Sequence, residues 1–129
     1  MTSAINHNRP KHDQAQRSVA GALREILPAS AVLASDEALR PYECDGLSAY
    51  RALPLAVVLP ETVEQVQAVL QLCQARNIPV VARGAGTGLS GGALPHADGV
   101  VLSLARFNKI LSIDPEQRIA RVQPGVRNL

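Results

Sequence analysis

Apolar positions along this chain recur with two periods, and the change from one to the other marks out its elements. In residues 14–27, QAQRSVAGALREIL, Val19, Leu23, Ile26 and Leu27 fall on one helical face, and Pro28 ends the helix. Ala31 to Leu33 reads as a short strand, and Ser35 or Asp36 caps a short helix that runs through Arg40, before Pro41. PYECDGLSAYRALP, from Pro41, has turn chemistry and no period. LAVVL, residues 55–59, is a continuous apolar run of the kind buried on both faces of a sheet. Thr62 then opens a helix with Gln65 as its capping-box partner. Val63, Val66, Val69, Leu70 and Cys73 carry the helical repeat, Asn77 caps its end and Pro79 follows. Residues 79–83, PVVAR, form the next strand. Strand, helix and strand with tight connections make a βαβ unit, so the two strands are expected to be parallel with a right-handed crossover. GVVLSL, residues 99–104, is a further buried strand. Residues 110–114 and 118–123 flank Asp114-Pro115-Glu116-Gln117 and read as a hairpin, which Pro124 and Gly125 break.

The pattern predicts an α+β (α/β) fold: a βαβ unit with a short parallel sheet, then a hairpin, with N-terminal helices in front. The expected divisions are a disordered arm at 1–13, a helical segment at 14–50 and the sheet-forming part at 51–129. At 129 residues with 47% hydrophobic and only 2% aromatic residues, one small core of Val, Leu, Ile and Ala is expected.

Charge narrows the function classes. Arg9, Lys11 and Arg17 against Asp13 already account for the net +2, so the rest of the chain is neutral and offers no basic face for nucleic acid. Cys44 and Cys73 lack metal-type spacing, and Cys73 lies on a helical apolar stripe as a small hydrophobe. No metal site is expected: His7 and His12 lie in the polar arm and His96 in a turn. The longest apolar run, 53–60, is far below the ~20 residues of a membrane span, and the N-terminus has no apolar signal core.

The chemistry concentrates in RGAGTGLSGG, residues 83–92, directly after a strand. Gly84, Gly86, Gly88, Gly91 and Gly92 leave closely spaced backbone N–H groups with few side chains in the way, which suits an anion and above all a phosphate. Thr87 and Ser90 add hydroxyl donors, and Arg83 adds charge or is solvated at the strand end. A flexible surface loop is the competing reading, but a connection that only turned would use one or two glycines. Gly86-Thr87-Gly88-Leu89-Ser90-Gly91 formally matches G-x-G-x-x-G. The nicotinamide-dinucleotide fingerprint also needs a helix opening inside the motif and an acid about 20 residues on. Pro95 and the turn residues after it oppose the helix, and Leu104 to Asn108 contain no acid. A Walker loop would need a lysine where Gly91-Gly92-Ala93 stands.

RGAGTGLSGG resembles the pyrophosphate loop of the FAD-linked oxidases of the vanillyl-alcohol oxidase / p-cresol methylhydroxylase (PCMH) type. PLAVVLPETVEQV (54–66), PYECDGLSAY (41–50) and ARVQPGVRNL (120–129) extend the likeness toward the FAD-binding subunits of bacterial glycolate oxidases and related D-lactate dehydrogenases. The resemblance covers about residues 36–129.

It implies the first subdomain of a PCMH-type FAD-binding domain, and FAD as cofactor. It implies that Val58, Leu59 and Pro60 lie near the adenine end. Arg83, Gly84, Ala85, Gly86, Thr87, Gly88, Leu89, Ser90, Gly91 and Gly92 wrap the pyrophosphate, and Gln123, Pro124 and Gly125 form a turn near the flavin. Thr87 stands about where some relatives carry a flavin-linking histidine, so FAD is expected to be held non-covalently. The reaction implied is oxidation of a 2-hydroxy acid, glycolate or D-lactate, to the 2-oxo acid. No catalytic residue is identified here, because relatives place theirs in later segments. The expectation is a truncated FAD module with exposed apolar surface, weak or no FAD binding and no turnover by itself. A non-enzymatic remnant or interaction module is the alternative, and a nicotinamide-binding domain a weaker one. Partner subunits and a cytoplasmic place, at the inner face of the membrane through those subunits, complete what the resemblance implies.

Overall fold

The computed structural model describes residues 9–127. Residues 1–8 of the expected arm, His7 among them, and Asn128 and Leu129 lie outside the described residues. The first helix, α1 (Arg9–Ile26), begins five positions before the expected start at Gln14. Pro10 sits in its first turn, where a missing N–H costs nothing, and His12 Nε2 lies 3.3 Å from Ala97 O, so this histidine is not a free tail residue. Val19, Ala20 and Leu23 are buried, whereas Ile26 is 36% exposed, because Leu27 just past the helix turns inward instead.

After α1 come β1 (Val32–Leu33), α2 (Asp36–Leu39), β2 (Ala56–Val58), α3 (Val63–Ala75), β3 (Val80–Arg83) and β4 (Val100–Ser103). Ser35 caps α2 by accepting from Ala38 N. The ends of α3 follow local chemistry closely. Thr62 Oγ1 accepts from Gln65 N at 3.2 Å, and Gln65 Oε1 reaches back to Glu61 N at 2.8 Å. At the other end Asn77 takes φ 54°, with Asn77 N bonded to Gln74 O and Ile78 N to Cys73 O, a Schellman arrangement. The buried stripe of α3 is Val69 and Cys73 with Val66 and Leu72 beside them; Val63, at 69% exposure, and Leu70 leave it.

The four-stranded sheet has the order β1-β2-β4-β3. β2 and β3 are both parallel to β4, so the βαβ pair is parallel as expected, but β4 is inserted between its strands. The insertion gives β4 a parallel partner on each side, and all four of its residues are buried. Alternation along the strands then splits the core. Ala56, Val58, Val100 and Leu102 face α1 and α3. Val57 and Val101 face the opposite side, where Leu39, Tyr42 and Leu53 cover them. That cover is the end of α2 and the irregular segment 41–53, a strap across the outer face.

β5 (Ile110–Asp114) and β6 (Ile119–Val122) form the hairpin as a separate two-stranded sheet. Asp114 Oδ1 accepts from Gln117 N at 3.0 Å to set its turn. Ile110, Leu111, Ile113, Ile119 and Val122 are all exposed on it. No helix of the described residues is long and apolar enough to cross a membrane.

Candidate functional site

The carboxyl ends of β3 and β4 lie side by side, with Arg83 paired to Ser103. In parallel sheets this is the edge where connecting loops leave a crevice for ligands. Here the crevice is an open cleft of about 650 Å³, whose lining includes Tyr42, Arg83, Gly84, Ala85, Ser103 and Gly125. Leu104 N donates to Arg83 O at 2.8 Å, which locks the two strand ends together at its floor. The hairpin exit forms the far wall, because Gly125 N donates to Phe107 O at 2.7 Å and Gln123 N to Lys109 O at 2.9 Å.

The loop that starts at this cleft presents bare backbone. Among the described residues, the N–H groups of residues 84–92 donate to no backbone carbonyl. Between β3 and β4 there is no helix among the described residues, so these donors are presented by turns and bends. The G-x-G-x-x-G match therefore lacks the helix that the nicotinamide-dinucleotide fingerprint needs. A run of bare, solvent-facing N–H groups after a strand fits a pyrophosphate, which accepts several hydrogen bonds at once.

Arg83 does something the sequence does not disclose. Its Nη1 donates to Cys44 O at 2.6 Å, and its guanidinium lies over the Tyr42 ring, 5.3 Å from the centroid. Neither bare nor simply solvated, it braces the strap against the loop. Gly86 crosses directly above it with φ +72°, and a Cβ there would stand 2.5 Å from Arg83 Cζ. Gly86 thus answers to both the left-handed backbone and the arginine beneath it.

The remaining expected residues are distributed unevenly. Gly84, Ala85 and Gly125 line the cleft with Arg83, whereas Thr87, Gly88, Leu89, Ser90, Gly91 and Gly92 do not. Those six residues continue over the strap, where Gly46 N donates to Gly88 O at 2.9 Å. Val58, Leu59 and Pro60 are away from the cleft: Val58 is in the sheet core, Pro60 is buried, and Leu59 N bonds Ala31 O. Gln123 closes the hairpin through Lys109, its Oε1 accepting from Lys109 N at 3.0 Å. Gln123 and Pro124 line a different, apolar groove of about 360 Å³ with Val63, Val66, Leu104 and Phe107.

Sequence reasoning missed Ser103, Asn108 and Arg127 in the cleft lining. Ser103 was findable, since it closes a buried strand at its carboxyl end. Asn108 and Arg127 follow or precede turns and carry no local signal. Of the two cysteines, Cys73 is buried, and burial pushes its thiol up in pKa. His96 is an exposed turn residue whose Nδ1 accepts from Asp98 N at 3.1 Å. Among the described residues no group of three or more His, Cys, Asp or Glu is placed to hold a metal ion.

Comparison with known proteins agrees with this geometry. The pattern of the family described as FAD binding domain matches residues 54–129. The chain is 61% identical over 117 residues to glycolate oxidase subunit GlcD of Escherichia coli (strain K12), covering 91% of this chain and 23% of that protein. It is 40% identical over 104 residues to a D-lactate dehydrogenase of Anaerostipes hadrus, covering 80% of this chain and 22% of that protein. Among solved structures, 4-ethylphenol oxidase from Gulosibacter chungangensis superposes with a TM-score of 0.75 at 26% identity, over 88% of this chain and 23% of that one. p-Cresol methylhydroxylase with substrate bound gives a TM-score of 0.64 at 33% identity, over 95% of this chain and 23% of that one. The chain thus spans less than a quarter of the length of these relatives.

Proposed function

Since the chain belongs to the FAD binding domain family, we propose that it supplies the pyrophosphate-holding part of the FAD site in a flavin-dependent oxidoreductase of 2-hydroxy acids, glycolate or D-lactate. The observation that carries this reading is the run of unpaired N–H groups at 84–92, which starts at the carboxyl end of β3, where Gly84 and Ala85 line the cleft. The backbone of residues 84–92 would hold the pyrophosphate, with Arg83 contributing positive charge from behind the loop. Gly125, with no side chain to intrude, would leave the hairpin wall open to the remainder of the cofactor.

When bound, FAD supplies a hydride acceptor for the C2 position of the hydroxy acid. This chain's own residues bind and orient. They offer donors to the phosphates, keep side chains out of the loop, and wall the cleft with the hairpin exit. The carboxylates near the strap are engaged locally: Glu43 pairs with Arg51 at 2.9 Å, and Asp45 caps Leu47 N at 2.8 Å. The base and the substrate clamp are therefore assigned to segments that the relatives have and residues 9–127 do not.

Non-covalent attachment is part of the proposal. Thr87 stands in the loop where covalent relatives carry histidine, and His96 is bonded within its own turn. Partner subunits, which the likeness to a protein named as an oxidase subunit supports, and a cytoplasmic place at the inner face of the membrane through them are further parts of the proposal.

Backbone amide spectra of the chain, titrated with FAD and separately with riboflavin, test the reading. Riboflavin carries the ring but no phosphate. FAD should shift the amides of residues 84–92 and of Gly125, even at millimolar affinity, and riboflavin should leave residues 84–92 in place. No shift with FAD, or equal shifts with both, would overturn it.

A further inference from the structure

The glycine loop has little of its own to hold it. Its N–H groups are free of backbone partners, and Gly88, Gly91 and Gly92 have open space where a Cβ would sit. What fastens it comes from far earlier in the chain. The strap closes on itself through Ala52 N to Glu43 O at 2.8 Å and the Arg51–Glu43 pair. Inside it, Asp45 is 6% exposed, and its Oδ1 accepts from Leu47 N at 2.8 Å, which turns the chain at Gly46. Asp45 Oδ2 is buried with no hydrogen-bond partner among the described residues.

Gly46 N donates to Gly88 O at 2.9 Å. The two backbones lie so close that a Cβ on Gly46 would stand 2.8 Å from both Thr87 O and Gly88 O. Those atoms are backbone, so no side-chain rotation relieves the contact and the loop backbone itself must move. A trans peptide points its C=O and its N–H in opposite directions. Holding Gly88 O against the strap therefore aims the Leu89 N–H away from it, toward the open side of the loop. The Arg83–Cys44 bond and the Arg83–Tyr42 stack tie the start of the loop to the same strap.

We propose that Gly46 is a positioning residue for the cofactor: through it the strap sets the peptide orientations of the glycine loop, and so how strongly that loop holds a pyrophosphate. This rests on the reading of the loop as an FAD-pyrophosphate site.

The test is Gly46→Ala, followed by backbone amide spectra and FAD titration. The backbone at Gly46 is not left-handed, so alanine meets no torsional penalty and the effect isolates the close contact. The amides of residues 86–89 should shift without ligand, those of Val101 and Leu102 in the central strand should stay, and FAD affinity should fall at least ~10-fold, a modest cost for a displaced backbone carbonyl. Asp45→Ala, which removes the turn's own hydrogen bond, should move the same loop amides by less and serves if Gly46→Ala does not fold. Loop amides that shift on FAD equally in wild type and Gly46→Ala overturn the strap's role alone. A wild-type loop that ignores FAD overturns both the cofactor reading and Gly46's part in it.

Discussion

Gly125→Ala tests the join between the sheet and the hairpin, on which the cleft depends. Gly125 N donates to Phe107 O at 2.7 Å, and a Cβ at this position would stand 2.8 Å from that same oxygen. It would also press on Leu104 O, closer than real Cβ atoms come to any atom. Both oxygens belong to one turn, closed by Phe107 N to Leu104 O at 2.9 Å and tied to the sheet by Leu104 N to Arg83 O at 2.8 Å. The turn cannot retreat without straining the end of β4, so the hairpin exit must move. The loss is one hydrogen bond, about 1 kcal/mol, plus overpacking of about 1–3 kcal/mol. A total near 2–4 kcal/mol converts, at about 1.4 kcal/mol per factor of ten, to roughly 30- to 1000-fold. Amide hydrogen exchange at Gln123 and Val126, whose bonds to Lys109 O and Gln123 O span the join, reads this directly. Gly84→Ala is the control on the opposite wall, since its Cβ would meet only Pro124 O, at an ordinary 3.6 Å. It should change the same rates by less than about 3-fold, a few tenths of a kcal/mol. Exchange at Gln123 within about 3-fold of wild type in Gly125→Ala would refute the steric argument.

Two further outcomes follow from single sites. Gly21 lies inside α1 with nothing within 4 Å of the place an alanine methyl would take, so Gly21→Ala should stabilise the chain by about 0.5–1 kcal/mol in urea unfolding; a lower midpoint would contradict the helix assignment there. Burial raises the Cys73 thiol, so the unfolded chain loses this proton first as pH rises. Its contribution to stability is full below the ordinary thiol range and declines as pH climbs through and above it. Cys73→Ala should flatten that alkaline decline, and an unchanged slope between wild type and variant would count against the buried thiol as its source.

The site was legible in part. RGAGTGLSGG announced a loop of bare backbone because glycines carry no side chain wherever they fold. Arg83 was legible as a charge at a strand end, but not as a brace on Tyr42 and Cys44 O, because both partners sit some forty residues away. Gln123 and Pro124 matched a motif yet face the apolar groove, since the hairpin exit turns between Pro124 and Gly125.

What the sequence determined alone is what can be closed within a few residues. The Thr62–Gln65 cap, the Asn77 left-handed stop, the Asp114 turn and the apolar runs of β2 and of β4 up to Ser103 were all readable, because each is decided by neighbours in the chain. The order β1-β2-β4-β3, the strap over Val57 and Val101, and the contact of Gly46 with Gly88 were decided only by tertiary structure. An apolar run says that both faces of a strand must be covered, but not by what. That choice is made when the whole chain buries Val58 and Leu102 on one side of the sheet and Val57 and Val101 on the other.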